Sequence, residues 1–105
     1  MLVVFAKAYL RELYESGRTS EKKYRFQPEI VSRYRKRIGV LLSAPSPEAL
    51  YQINSLHFEA LVGDKAGMYS IRVNDKYRIE FTIQDMPEHK SVTVCKIEEL
   101  SKHYD

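Results

Sequence analysis

The chain has one cysteine, Cys95, and three histidines in 105 residues. An internal disulfide is excluded, and the scattered histidines leave no ligand spacing for a structural zinc, so a reducing compartment is the natural setting. Glycine is scarce as well. The turn Gly63-Asp64-Lys65-Ala66-Gly67 is not a nucleotide phosphate loop, which needs a longer glycine run opening directly onto a helix. No apolar run is long enough to span a membrane, and Met1 to Ala6 lacks both the basic leader and the length of a signal segment. The expectation is a cytoplasmic protein with no membrane partner. Without repeats, low-complexity tracts or linkers, residues 1–105 read as one domain. What is present, 44% apolar and 30% charged residues with a net charge of +3, is a globular composition that permits an anionic partner without requiring one.

The stretch from Leu61 to Phe81 organises the rest. Tyr69, Ile71 and Val73, then Tyr77, Ile79, Phe81 and Ile83, alternate with the period of two of a strand with one buried face, and Asn74-Asp75-Lys76 carries turn chemistry between them. Residues directly opposite in an antiparallel pair share a face. A two-residue loop would set Ile71 against Arg78, whereas a three-residue loop with a left-handed residue sets Val73 against Tyr77 and Ile71 against Ile79. Arg72 then faces Arg78. Like charges so placed cost roughly 0.2–1 kcal/mol. Either both arginines are solvated and pair with Glu80 or another carboxylate, or they form a phosphate site, for which the guanidinium fork is suited.

Elsewhere the chain reads as a first strand over Leu2 to Phe5 and a helix over Ala8 to Ser16 stopped by Gly17. Tyr9 and Tyr14 at helical spacing are core packing or, less often, a stacking platform for bases. Arg18 to Gln27 is a polar loop and a site of mobility. Pro28 opens a second helix reaching about Ala44, Ser46-Pro47-Glu48 caps a short one, and a strand is expected from Leu56 to Val62, with His57 and Glu59 on one face. Lys65 is expected exposed at its turn, and Asp85 to Lys90 is expected to be another polar turn. Ser91 to Ile97, apolar on both faces, suits a strand inside the sheet, with Cys95 as a small buried hydrophobe.

Two further groups carry chemistry. Arg33, Arg35, Lys36 and Arg37 on the second helix are the densest positive charge, either a solvated face or a track for a nucleic-acid backbone. The tail from Glu98 to Asp105 holds two carboxylates, His103 and Tyr104, the ingredients of proton transfer near neutral pH, unless it is a frayed end.

The order β, α, α and then a run of strands resembles the RelE/ParE toxin superfamily, and within it the HigB-type plasmid-maintenance killers. The resemblance rests on Leu61, Gly63-Asp64-Lys65, Tyr69-Ser70-Ile71 and Tyr77-Arg78-Ile79-Glu80-Phe81. It implies an α+β, RelE-like fold: β-α-α followed by a mainly antiparallel sheet of about four to five strands, with the two helices packed on one face. It also implies a metal-independent, cofactor-free, ribosome-dependent endoribonuclease that cuts messenger in the decoding site. Such an enzyme is held inactive by a HigA-like helix-turn-helix antitoxin. Arg78 matches the family's transition-state arginine, with Arg72 and Lys65 placed to help and Arg33, Lys36 and Arg37 set against RNA. For proton transfer the tail departs from the family order, reading His103-Tyr104-Asp105 several residues late, while counting from the strand lands on Glu98 and Glu99. Counting back from Gly63 lands on Glu59, with His57 two residues earlier. The candidates are thus His57, Glu59, Glu98, Glu99, His103 and Tyr104, with His103 and Tyr104 the first choice. The resemblance leaves two other readings: a ParE-like, non-enzymatic inhibitor of DNA gyrase, and a degenerate member that only binds its antitoxin.

Overall fold

The computed structural model describes residues 1–86 and 88–102. The elements run β1 (Leu2–Phe5), α1 (Ala8–Ser16), α2 (Pro28–Ser43), α3 (Pro47–Leu50), β2 (Glu59–Ala60), β3 (Tyr69–Arg72), β4 (Tyr77–Met86) and β5 (His89–Lys102). The strands form one sheet in the order β1-β5-β4-β3-β2, in which β1 runs parallel to β5 and every other pairing is antiparallel. This is the α+β arrangement the resemblance implied. No helix among the described residues is long and apolar enough to cross a membrane.

Each helix begins and ends where its local chemistry dictates. Gly17 takes the left-handed conformation, φ 76°, and its amide donates to the Leu13 carbonyl, closing α1. Pro28 occupies the first turn of α2, where a missing N–H costs nothing. The apolar stripes of the two helices then meet the sheet. Tyr9, Leu10 and Leu13 from α1 and Ile30, Val31, Tyr34, Ile38 and Leu41 from α2 are buried against Ile71, Val73, Ile79, Phe81, Cys95, Ile97 and Leu100. Tyr9 is therefore core and not a platform for bases. Its ring stacks on Tyr24 at 3.6 Å, its hydroxyl accepts from the Leu100 amide at 3.4 Å, and burial pushes its pKa up to about 12. The Cys95 thiol is likewise buried and pushed up to about 11 by desolvation, an inert packing group.

The hairpin register matches the alternation argument: Ile71 faces Ile79 and Arg72 faces Arg78. The turn differs in its device. None of Asn74, Asp75 and Lys76 has a positive φ. Instead the Asn74 side-chain oxygen accepts from the amides of Lys76 at 2.9 Å and Tyr77 at 2.8 Å, so a side chain closes the turn that a left-handed residue was expected to make.

Three segments depart from expectation. The strand over Leu56 to Val62 shrinks to Glu59–Ala60, because Asn54–Leu56 forms a 3-10 turn and His57 adopts a left-handed φ of 46°. The polar turn after the hairpin is narrower than Asp85 to Lys90, since β4 runs through Met86 and β5 starts at His89. That last strand also continues past Ile97 through Lys102, so Glu98 and Glu99 belong to the sheet and not to a tail. The Arg18 to Gln27 loop is pinned: the Thr19 hydroxyl donates to Glu12 at 2.6 Å, and Phe26 meets Tyr77 edge-on at 5.6 Å.

The two helices are tied by a buried bond from the Tyr34 hydroxyl to the Leu10 carbonyl at 2.8 Å. Tyr34→Phe removes a donor without changing shape, and the expected cost is about 1 kcal/mol. A urea denaturation series should show a lower midpoint at unchanged slope, and an unmoved midpoint would show the bond to be worth nothing net.

Candidate functional site

The face of the sheet opposite the helices carries two rows of side chains that the register sets side by side. Glu59 pairs with Ser70, Ser70 with Glu80 and Glu80 with Glu99, giving one row across β2, β3, β4 and β5. The adjacent row is Arg72, Arg78 and Ser101. An acidic row thus lies beside a basic one. Where they approach β2, a cleft of about 500 Å³ opens, with His57, Glu59, Ser70, Arg72, Tyr77 and Arg78 among its walls.

Each wall has a local cause. His57 is held at the cleft by the end of the Asn54–Leu56 turn, and its left-handed backbone, at a non-glycine residue, is the kind of strain that structures retain at functional positions. Arg72 pairs with Asp75 of the hairpin turn. Arg78 Nε donates to Glu80 Oε2 at 3.0 Å. The two facing guanidinium groups therefore have separate carboxylates, as the plainer reading of the sequence required, and both still line the cleft.

Glu80 is the member that sequence reasoning undervalued. Its side chain is 1% exposed. Lys65 Nζ donates to both of its oxygens, at 2.9 and 2.7 Å, and the Ser101 hydroxyl donates to Oε2 at 2.8 Å. Lys65 thus stands partly exposed at its turn, its side chain 43% accessible, while its ammonium reaches Glu80. Burial pushes the Glu80 carboxyl up, but the bonds from Lys65 and Ser101, the Lys65 charge and the Arg78 bond outweigh it and hold the group below its ordinary value. The signal available in the sequence was the period of two, which places Ser70, Arg72, Arg78 and Glu80 on one face.

The remaining candidates divide. His57 and Glu59 meet in the cleft although no continuous strand joins them. Glu98 is the extra residue where the β4–β5 register slips between Glu80 and Phe81, and it is not among the cleft's described walls. Glu99 faces Glu80 across the strands and lies 3.9 Å from Lys7 Nζ. His103 and Tyr104 lie outside the described residues. Of the basic helix, Arg33 lines a neighbouring groove of about 330 Å³ with Arg72 and Lys76. Arg37, partly buried, has its pKa lowered by desolvation and by the charges of Arg33 and Arg72. Lys36 sits apart beside Tyr14, Glu15 and Arg35, and Arg35 donates from Nε to the Tyr14 carbonyl at 3.0 Å. No group of three or more His, Cys, Asp or Glu side chains among the described residues is placed to hold a metal ion.

Residues 3–93 match a family described as the RelE-like toxin HigB of type II toxin-antitoxin systems. The chain belongs to the HigB-like toxin family. Among solved structures, this HigB-like toxin is similar to the YoeB/ParE toxin from Agrobacterium tumefaciens, at 17% identity and a TM-score of 0.56, covering 99% of this chain and 100% of that one. It is also similar to the YoeB dimer from Staphylococcus aureus, at 20% identity and a TM-score of 0.51, covering 99% and 98%. At such identities the likeness is one of fold. No curated protein matches by sequence. As a toxin of a type II system, the HigB-like chain has an antitoxin as its partner class.

The buried carboxylate makes stability depend on acid. With its folded value below the ordinary 4.5, Glu80 contributes stability that is fully present above the unfolded value and is lost as pH falls through the folded one. Melting temperatures followed downward from neutral pH should fall faster for the wild type than for Glu80→Gln, the two curves converging on the acid side. Parallel curves would mean that the network carries no such linkage.

Proposed function

We propose that this toxin is a ribosome-dependent endoribonuclease, cutting messenger in the decoding site in the cytoplasm and neutralised by a cognate HigA-like helix-turn-helix antitoxin. The observation that carries the reading is the joining of Arg72, Arg78, His57 and Glu59 in one cleft. Cutting RNA without a metal requires a base to take the proton from a ribose 2′-OH, attack of that oxygen on the adjacent phosphate, release of the 5′-oxygen with a proton, and cations to hold the charge that develops. Arg78, anchored through Nε, is the fixed cation, and Arg72, whose Asp75 partner is 88% exposed, can exchange that partner for a phosphate oxygen. His57 or Glu59 supplies the base within the cleft, to be compared with His103 and Tyr104 from the sequence.

The groove shared by Arg33, Arg72 and Lys76 leads the RNA backbone away from the cleft, and such contacts give affinity without sequence choice, leaving preference to the codon the ribosome presents. Lys36, on a different face, has a smaller part in this than the sequence implied.

Primer extension on a defined messenger in a purified translation system tests the reading. Wild-type protein should cut within decoded codons only when ribosomes are present. Arg78→Ala should lower the rate by about 100- to 1000-fold, the usual loss for a removed oxyanion donor. Substituting the true base among His57, Glu59, His103 and Tyr104 should cost at least about 100-fold. Cuts that persist in Arg78→Ala would remove the assigned site. Growth arrest without cuts would transfer the toxin to the gyrase-inhibitor class.

Ribosome binding measured against salt gives a second check. Arg33→Gln and Arg37→Gln should each lower the logarithmic salt slope by about one, and Lys36→Gln by less. Equal effects at all three positions would argue against the groove.

A further inference from the structure

Arg72 and Arg78 occupy facing positions, yet their counter-ions differ sharply. Asp75, beside Arg72, is 88% exposed, while Glu80, beside Arg78, is 1% exposed, and the Arg78 side chain itself is 20% exposed. An exposed pair is weak and exchangeable with any competing anion. A carboxylate buried among donors is not, because moving it would strand charges in a water-poor site.

The donors also decide what Glu80 is unable to do. Oε2 accepts from Lys65, Arg78 and Ser101, and Oε1 from Lys65. Oε2 is crowded by three donors, and the lone pair left on Oε1, which accepts from Lys65 alone, is enclosed in a side chain that is 1% exposed, out of reach of a substrate hydroxyl. Its depressed pKa agrees, since such a carboxylate is a poor proton acceptor near neutral pH. Lys65 settles the charge. With Arg78 alone, Glu80 would cancel the positive charge that a phosphate needs. With Lys65 sharing the carboxylate, Glu80 is divided between two cations, so it orients the guanidinium without its charge being spent on Arg78 alone.

We propose that Glu80 is the positioning residue for Arg78: from beneath the open sheet face it fixes the guanidinium stem through Nε, while Lys65 and Ser101 fix Glu80. Glu80 touches no substrate and acts only through the arginine. In function this rests on the nuclease reading, because what is positioned is the cation that meets the scissile phosphate. The geometry also explains why Lys65 reaches back over β3 onto Glu80 and not outward.

The test pairs a readout of geometry with one of chemistry, on the intact toxin. Exchange of the Arg78 Nε–H with water, followed by nitrogen-15 NMR in the absence of ribosomes, should be slow in wild type and about tenfold faster or more in Glu80→Ala. Single-turnover cleavage on saturating ribosomes should fall about 100-fold in Glu80→Ala, the cost of a misplaced catalytic group. Glu80→Gln, which keeps an acceptor oxygen and the side-chain shape, should recover much of that loss; if the alanine variant does not fold, Glu80→Met, which keeps the bulk without an acceptor oxygen, replaces it in both measurements. The double variant Arg78→Ala/Glu80→Ala should be no slower than Arg78→Ala. Losses that multiply, or an Nε–H exchange rate indifferent to Glu80, would overturn the positioning role while leaving the nuclease reading intact. Exchange that depends on Glu80 in a protein that cuts nothing would do the reverse.

Discussion

Two guanidinium groups facing each other across adjacent strands are an electrostatic problem, and the open face of this sheet is built around its solution. The register that puts Arg72 against Arg78 is forced by the apolar side chains behind them, because any one-residue slip would expose Ile71, Val73, Ile79 and Phe81. Burial of those side chains is worth several kcal/mol in sum, more than the roughly 0.2–1 kcal/mol of like-charge repulsion, so the core decides and the charges must adapt. They adapt by turning to separate carboxylates, one in the hairpin turn and one buried in the next row.

The same register explains the chemistry. Because facing residues share a face, an alternating pattern on four strands becomes rows, and two adjacent rows of opposite sign make a surface on which cations and proton acceptors stand a few ångströms apart. Ser70, the small member of its row, separates Glu59 from Glu80. One carboxylate is thereby left at an accessible cleft and the other enclosed. Identical functional groups acquire different surroundings from their places in one row.

Much of this was legible in the residues. The period of two carried the hairpin and its register, Gly17 and Pro28 marked helix ends, and the motif from Leu61 to Phe81 carried the family. What was misread turned on contacts that an alternating pattern does not encode, some local to a turn and some made only across the sheet. The hairpin turn was expected to need a left-handed residue, but the Asn74 amide oxygen does that work. Leu56 to Val62 alternates as a strand should, yet only Glu59 and Ala60 find a partner strand. Glu98 and Glu99 look like a solvated tail, but β5 carries them into the middle of the sheet and absorbs one of them in a register slip. Lys65 looks like a turn-tip cation, and only the sheet shows the buried carboxylate within its reach.

The position of β5 has a consequence for how the toxin comes into being. It lies between β1 and β4, so the first strand made has no neighbour until nearly the last strand is complete. Pairs such as Leu2 with Val94 are about as non-local as this chain allows, and contacts of that kind form late and together. The Glu80 cluster also waits for Ser101. During synthesis the emerging chain can assemble its helices and its hairpin, but neither a closed sheet nor a finished cluster. A ribosome making this toxin therefore carries an intermediate whose sheet is still open, and the order of strands acts as a time delay written into the topology.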